Sequence, residues 1–270
     1  MHRVAVIGVG NMAKAIIRGI VSSGIAVSSI SLFDKFSSQY DDLADLSYEF
    51  YFEQNIKDSV RDADIVLLSV KPQNYCEVLN EISELENCSD KIYISIAAGI
   101  RSQEVSDALK GANVVRVLPN LPMTVGKGVT LICKNEKVER NVFEYIKSLF
   151  LACGEITMIE ENDMNKYIGV TSSSPAYVFK FIDAIYNGAI QQGLDSEELL
   201  SVICDTVIGS AVLLKNSAIS PEELITKVAS KGGTTEQALK KLDEFNFEQA
   251  VFSAMEACTA RAEELGNNKN

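Results

Sequence analysis

The chain has 270 residues, 47% of them hydrophobic and 23% charged, with a net charge of −12. Such a length favours two domains, and the apolar fraction is enough for a packed core. The acidic balance speaks against a nucleic-acid groove or an anionic membrane surface, both of which need clustered Lys and Arg, and no stretch approaches the roughly 20 uninterrupted apolar residues of a membrane span.

The first half alternates in period. "RVAVIG" (3–8) is a short apolar run closing on glycine, and "MAKAIIRGIVSSG" (12–24) then repeats apolar residues every three to four positions, as a helix does. "SISLF" (29–33) and "YEFYF" (48–52) read as the next strands. "DIVLLSV" (64–70) is a continuous β-branched run, which a parallel strand covered on both faces requires. "KIYISIAA" (91–98), "NVVRVL" (113–118), "VTLIC" (129–133) and "EITMIE" (155–160) continue the series, with helical patterns between most of them. The alternation predicts an α/β fold, with a Rossmann-type doubly wound parallel sheet over residues 1–160.

From about Asp163 the pattern is helical only. Residues 176–193 keep a helical period, and Asp195 with Glu198 three residues on predicts a capping box for another helix. Ser220-Pro221-Glu222-Glu223 is a full start signal, with an N-cap serine, proline at N1 and glutamate at N3. Phe247, Val251, Ala254, Cys258, Ala262 and Leu265 then form one stripe. Residues 161–270 are predicted to be an all-helical second domain.

The residue inventory narrows the chemistry. His2 is the one histidine and tryptophan is absent, which argues against a His-based triad, a His general acid and a His-rich metal site. Hydroxyls, carboxylates, lysines, backbone amides or a borrowed cofactor must serve instead. The six cysteines (Cys76, Cys88, Cys133, Cys153, Cys204, Cys258) form no CxxC pair, so neither a metal site nor a redox pair is expected. Free thiols, with no signal-peptide n-region ahead of the first strand, point to the cytoplasm.

"IGVGNMA" (7–13) gives G-x-G-x-x-A directly after a strand and opening a helix. Gly8 permits the tight turn, Gly10 lets the backbone approach a pyrophosphate, and Ala13 allows close helix–strand packing. Asn11 and Met12 would present their amides to the phosphates at the helix N-terminus. The alternative for the motif alone is a glycine turn in an ordinary α/β sheet. Asp34, closing the second strand, would accept hydrogen bonds from a ribose diol and favour NADH, whereas Lys35 would offer a cation to the 2′-phosphate of NADPH. A solvated Asp-Lys turn is the third option. Val70, Lys71 and Pro72 end the fourth strand, Ala97, Ala98 and Gly99 the fifth, and Asn120 lies at the end of the sixth. The carboxyl ends of parallel strands are where such sheets bind ligands, and small residues there admit a ring.

Two segments of the helical half narrow the reading further. "TSSSPAYVF" (171–179) and "SKGGTTEQAL" (230–239) closely resemble the signature stretches of the pyrroline-5-carboxylate reductase family, typically S-G-S-[GS]-P-A-Y and S-P-G-G-[TA]-T. "IGVGNMAKAI", "VKP", "IAAGI", "PNLP" and the closing "LDEFNFEQAVFSAMEACTARAEEL" match its pattern in the right order, from about residue 3 to 266. The resemblance implies reduction of the cyclic imine 1-pyrroline-5-carboxylate to L-proline with NADPH or NADH. It also implies a homodimer built through the C-terminal helices, often assembled further.

The second signature admits a physical account. Thr234 with Gln237 three residues on reads as an N-cap and its reciprocal partner, which leaves Thr235 at N1 with its hydroxyl free. Gly232 and Gly233 bring the backbone close, successive amides make an anion nest for a carboxylate, and Ser230 adds a hydroxyl. By analogy with the family, Thr235 hydrogen-bonds the ring nitrogen and is the candidate catalytic residue.

Four positions depart from the family: Ser172 for glycine, Lys231 for proline, Leu121 for threonine, and Ala218 where a glutamate is frequent. Three rival readings stay open. The first is a reductase of a related cyclic imine carboxylate. The second is a β-hydroxyacid dehydrogenase using Lys166. The third is a nucleotide-binding regulatory module without catalysis.

Overall fold

The computed structural model describes residues 2–267. The expected strands form, in chain order, as β1 (His2–Ile7), β2 (Val27–Phe33), β3 (Phe50–Phe52), β4 (Ile65–Leu68), β5 (Ile92–Ser95), β6 (Asn113–Leu118), β7 (Gly128–Lys134) and β8 (Gly154–Met158). Helices α1 (Asn11–Ser23), α2 (Ile56–Arg61), α3 (Tyr75–Ser83), α4 (Ser102–Ala108) and α5 (Arg140–Leu151) lie between them. Among the described residues the strands make one sheet in the order β3-β2-β1-β4-β5-β6-β7-β8.

The sheet is parallel from β3 to β6, and β7 then runs antiparallel to β6. This one departure from the expected parallel sheet has a reason of chain length. Only residues 119–127, mostly a 3₁₀ turn over Leu121–Val125, join the two strands, and a parallel return needs a dozen residues or more. Helices cover both faces. Val4 and Val6 of β1 pack with Ile16, Ile17, Ile146 and Phe150 of α1 and α5. Ala5 and Ile7 turn the other way, toward Val60, Val78, Ile82 and Val105 of α2, α3 and α4. The continuous Ile65–Leu68 run is buried throughout, as a strand sandwiched between helices must be.

Beyond β8 the described chain is helical: α6 (Met164–Tyr167), a π-helical turn over Ile168–Ser172, then α7 (Ser174–Gln191), α8 (Leu199–Asn216), α9 (Pro221–Val228), α10 (Thr234–Glu244) and α11 (Phe247–Asn267). The Ser220 capping box is complete, with Glu223 bonded back to the serine amide. The box expected at Asp195 is absent. Ser196 Oγ accepts the Glu198 amide at 3.2 Å in a tight turn, which delays α8 to Leu199.

The chain separates into two compact units, one running to Ser173 and resumed from Ala257, the other Ser174–Glu256. The cut expected after residue 160 therefore falls inside the first unit. Met164 and Ile168 account for the shift, because they are buried with Leu118, Leu131 and Cys133 around Ala262. α11 thus begins in the second unit and ends in the first.

Candidate functional site

In the first unit, parallel pairing brings the ends of β1, β2 and β4 together. Gly8 donates its amide to the Phe33 carbonyl at 2.8 Å. Its φ is +88°, and a Cβ there would lie 2.8 Å from the Ser69 carbonyl oxygen, so only glycine fits the turn. Gly10 caps α1 without any side chain to satisfy the first amides, and no acidic residue stands in the first turn. A Cβ on Gly10 would project into open space. Asn11 is exposed, Met12 half-buried, and Ala13 fully buried under the helix–strand contact. Uncapped amides, the positive end of a 13-residue helix and an open approach suit a dinucleotide pyrophosphate.

Asp34 is placed at this turn, but its carboxylate serves the backbone. Oδ2 accepts the Val9 amide at 2.7 Å and Oδ1 the Phe36 amide at 2.9 Å, while the Asp34 amide donates to the Tyr40 hydroxyl at 2.8 Å. Lys35 turns away and pairs with Glu77 at 3.0 Å. Val70 is half-buried beside Gly8, whereas Lys71 is exposed and leads into the short Pro72–Asn74 turn.

The ends of β5 and β6 are closely packed. Ala97 is buried and Ala98 packs on the cluster around Ala262. Gly99 meets the backbone of Ala262 and Gly266 so closely that a side chain has no room, so its missing Cβ serves helix packing. Asn120 is buried. Its Oδ1 accepts the Val129 amide at 2.8 Å and its Nδ2 donates to the Thr171 carbonyl at 3.1 Å, which pins the turn. Ser172 adds a bond to the Pro119 carbonyl at 3.1 Å, a contact that a glycine at that position could not make. The two sequence stretches "PNLP" and "TSSSP" are thereby tied together. Behind them Arg116 of β6, 2% exposed, meets Glu161 at 3.4 Å and Asn165 at 3.0 Å. Glu161 also takes the amide and hydroxyl of Ser102, each at 2.6 Å. Nothing in the sequence signalled this buried network.

In the second unit, the corner Ser230–Thr235 precedes and opens α10. Gly233, extended at φ −81° and ψ 171°, is the N-cap, and its carbonyl accepts the Gln237 amide at 3.4 Å. The cap therefore sits one residue earlier than expected, because a glycine backbone reaches the extended conformation with no competing side chain. Thr234 becomes N1, Thr235 becomes N2, and no Thr234–Gln237 box forms. Gly232 is left-handed at φ +74°, and Ser230 accepts the Gly233 amide at 2.9 Å. Among the described residues the hydroxyls of Ser230, Thr234 and Thr235 make no hydrogen bond, and Lys231 makes no ion pair.

The Gly232 amide has a partner that the sequence reading missed. It donates to Oε2 of Glu236 at 2.6 Å. That amide, with Lys240 beside it, holds Glu236 below the usual carboxylate range. A glutamate at N3 was the available signal, hidden by placing the cap at Thr234. Among the described residues no group of three or more His, Cys, Asp or Glu side chains could hold a metal ion.

A family model described as pyrroline-5-carboxylate reductase dimerisation matches residues 161–265, and one described as NADP oxidoreductase, coenzyme F420-dependent, matches residues 3–99. The chain is 33% identical over 264 residues to a pyrroline-5-carboxylate reductase of Aquifex aeolicus, covering 97% of each chain. It is 31% identical over 271 residues to one of Corynebacterium melassecola, covering 99% of this chain and 100% of the relative. In structure it is similar to the pyrroline carboxylate reductase of Plasmodium falciparum with NADP bound, with a TM-score of 0.89 at 26% identity over 98% of each chain.

Proposed function

Because the chain belongs to the pyrroline-5-carboxylate reductase family, we infer that it reduces 1-pyrroline-5-carboxylate to L-proline with NADPH or NADH, a step of proline biosynthesis. The observation that carries the reading in the structure is the Gly232 amide. It seats a carboxylate at 2.6 Å, two residues before a helix whose Thr235 hydroxyl is unpaired.

The glycine turn at Gly8, the open face at Gly10 and the bare amides of α1 would hold the cofactor's pyrophosphate, with Asp34 fixing the turn and Val70 beside it. When bound, the nicotinamide supplies the hydride. The protein's own groups do the rest by placement. The Gly232 amide, with Ser230 and Lys231 alongside, receives the substrate carboxylate. The protonated ring nitrogen then donates to the Thr235 hydroxyl, which fixes the face of the C=N bond. As hydride adds to the imine carbon, the C=N electron pair passes to the nitrogen and leaves a secondary amine. A protonated imine is already an electrophile, so positioning supplies most of the catalysis, roughly 7–11 kcal/mol when two reactants are held in near-attack geometry. No histidine is required.

Self-association follows from the second unit. Phe179, Phe181, Ile208, Val212, Leu213 and Phe252 are each more than 40% exposed in the single chain. α8 is long and apolar enough to cross a membrane by length and composition, yet it lies within the span matched by the dimerisation model. We read these faces as a homodimer interface, and the free thiols as suited to the reducing cytoplasm. Light scattering on the purified protein should give twice the 29.5 kDa chain mass or a multiple of it.

The test of function is oxidation of NADH and NADPH by purified protein with 1-pyrroline-5-carboxylate, while proline is quantified. Proline formed in step with cofactor oxidation is the expected result. Cofactor binding without proline would overturn the reading.

A further inference from the structure

The carboxylate seated on the Gly232 amide belongs to the protein itself. Glu236 lies at the third position of α10 and reaches back past the cap. A glutamate there ordinarily bonds the N-cap amide, but the Gly233 amide is already given to the Ser230 carbonyl at 2.9 Å. Glu236 therefore takes the next amide out, that of Gly232, at 2.6 Å. Its second oxygen meets Lys240 Nζ at 3.2 Å, one helical turn on. The side chain is about one-third exposed, so water reaches it.

Resting on the reading of this corner as the substrate's carboxylate site, we propose that Glu236 is a specificity-determining residue that holds the seat in the free enzyme and must be displaced by the substrate. The incoming group and the resident are the same chemical species, a carboxylate, and they share one donor. An amide has a single hydrogen, and two carboxylates converging on it repel one another. Lys240 gives the displaced side chain a cation to settle on, so its charge is not stranded. Lys231, exposed beside the nest and unpaired among the described residues, offers a cation to the arriving anion.

Two consequences follow. Apparent affinity for the substrate falls by the fraction of time that the seat is open. Small anions with only a charge to offer are excluded, whereas a cyclic imine carboxylate adds its ring and its nitrogen contact to the exchange.

The alternative role for Glu236 is a helix cap and nothing more, and kinetics separate the two. We would measure kcat and KM for 1-pyrroline-5-carboxylate in full-length wild type, Glu236→Ala and Glu236→Asp. The aspartate keeps the charge but falls one methylene short of the amide. KM should fall about three- to tenfold in both variants with kcat changed less than twofold. An unchanged or raised KM in Glu236→Ala would leave the residue as a cap and overturn the proposal. A fall in Glu236→Ala with wild-type KM in Glu236→Asp would also overturn it, in favour of general charge repulsion.

A second measurement does not depend on turnover. The protein has 16 glycines, few enough for selective labelling and amide spectra. Titrated with acetate, the Gly232 resonance should move in Glu236→Ala and hold in wild type. If wild type forms no proline, the functional reading falls, and this titration still decides whether Glu236 holds the seat. Equal movement in both proteins would overturn the proposal.

Discussion

Oδ2 of Asp34 accepts the Val9 amide at 2.7 Å, so the carboxylate at the end of β2 fastens the glycine turn at the end of β1. The same side chain fixes Phe36 through its other oxygen. Asp34→Ala should loosen the turn and weaken NADH and NADPH together. A loss of about tenfold for each matches one charge-assisted hydrogen bond of roughly 1.5 kcal/mol. Fluorescence titration with both cofactors checks it, and a loss confined to NADH would instead make Asp34 a ribose ligand.

Thr235→Ala should lower kcat about ten- to a hundredfold, the worth of one hydrogen bond to a charged group, and leave cofactor affinity unchanged. Its hydroxyl is unpaired among the described residues, so the substitution breaks nothing in the fold. Wild-type turnover in the variant would remove Thr235 from the mechanism.

Gly99→Ala tests whether that glycine serves packing. The added methyl meets the backbone of α11, and the position has a left-handed φ of +83°. Overpacking costs about 1–3 kcal/mol, which for a unit of this size lowers Tm by roughly 3–10 °C. Cofactor affinity measured well below Tm should stay near wild type. A normal Tm with weakened cofactor binding would return Gly99 to the ligand site.

Acid stability carries a further expectation. Lys14, with its side chain only 10% exposed, meets Asp42 at 2.6 Å and holds that carboxyl below its ordinary range. Arg18 does the same for Asp45. A carboxylate whose pKa is depressed by folding adds stability above about pH 4, and the contribution fades as pH drops through the folded value. Asp42→Asn should therefore lower Tm at pH 7, where Lys14 loses its partner, and the gap from wild type should narrow below about pH 4. Scanning calorimetry from pH 3 to 7 reads both limbs, and a gap constant with pH would show that the pair contributes nothing.

The sheet was legible because each strand needs only local pattern. The Ile65–Leu68 run and the glycines after β1 announce themselves without any partner. The antiparallel β7 followed from the length of one connection, which composition does not weigh. The Ser230–Thr235 corner was legible as a stretch but not in its wiring. One misplaced cap, Thr234 for Gly233, hid Glu236 from view. Asp34, Lys35 and Asn120 were correctly placed at strand ends, yet their partners (Val9, Glu77 and Thr171) lie 25 to 51 residues away, and such pairings have no local signature. The same holds for Arg116, whose Glu161 is 45 residues distant.

The return of α11 to the first unit has a bearing on how the chain is made. Leu118, Leu131, Cys133, Met164 and Ile168 are synthesised well before Ala262, the residue they surround. At about 5–20 residues per second, roughly 5–20 s pass between Ile168 and Ala262 on the ribosome, with the entire second unit made in between. The nucleotide-binding half is thus finished only after the helical half has been translated. Nascent chains halted short of residue 262 would carry an uncovered apolar patch for chaperones and proteases to find.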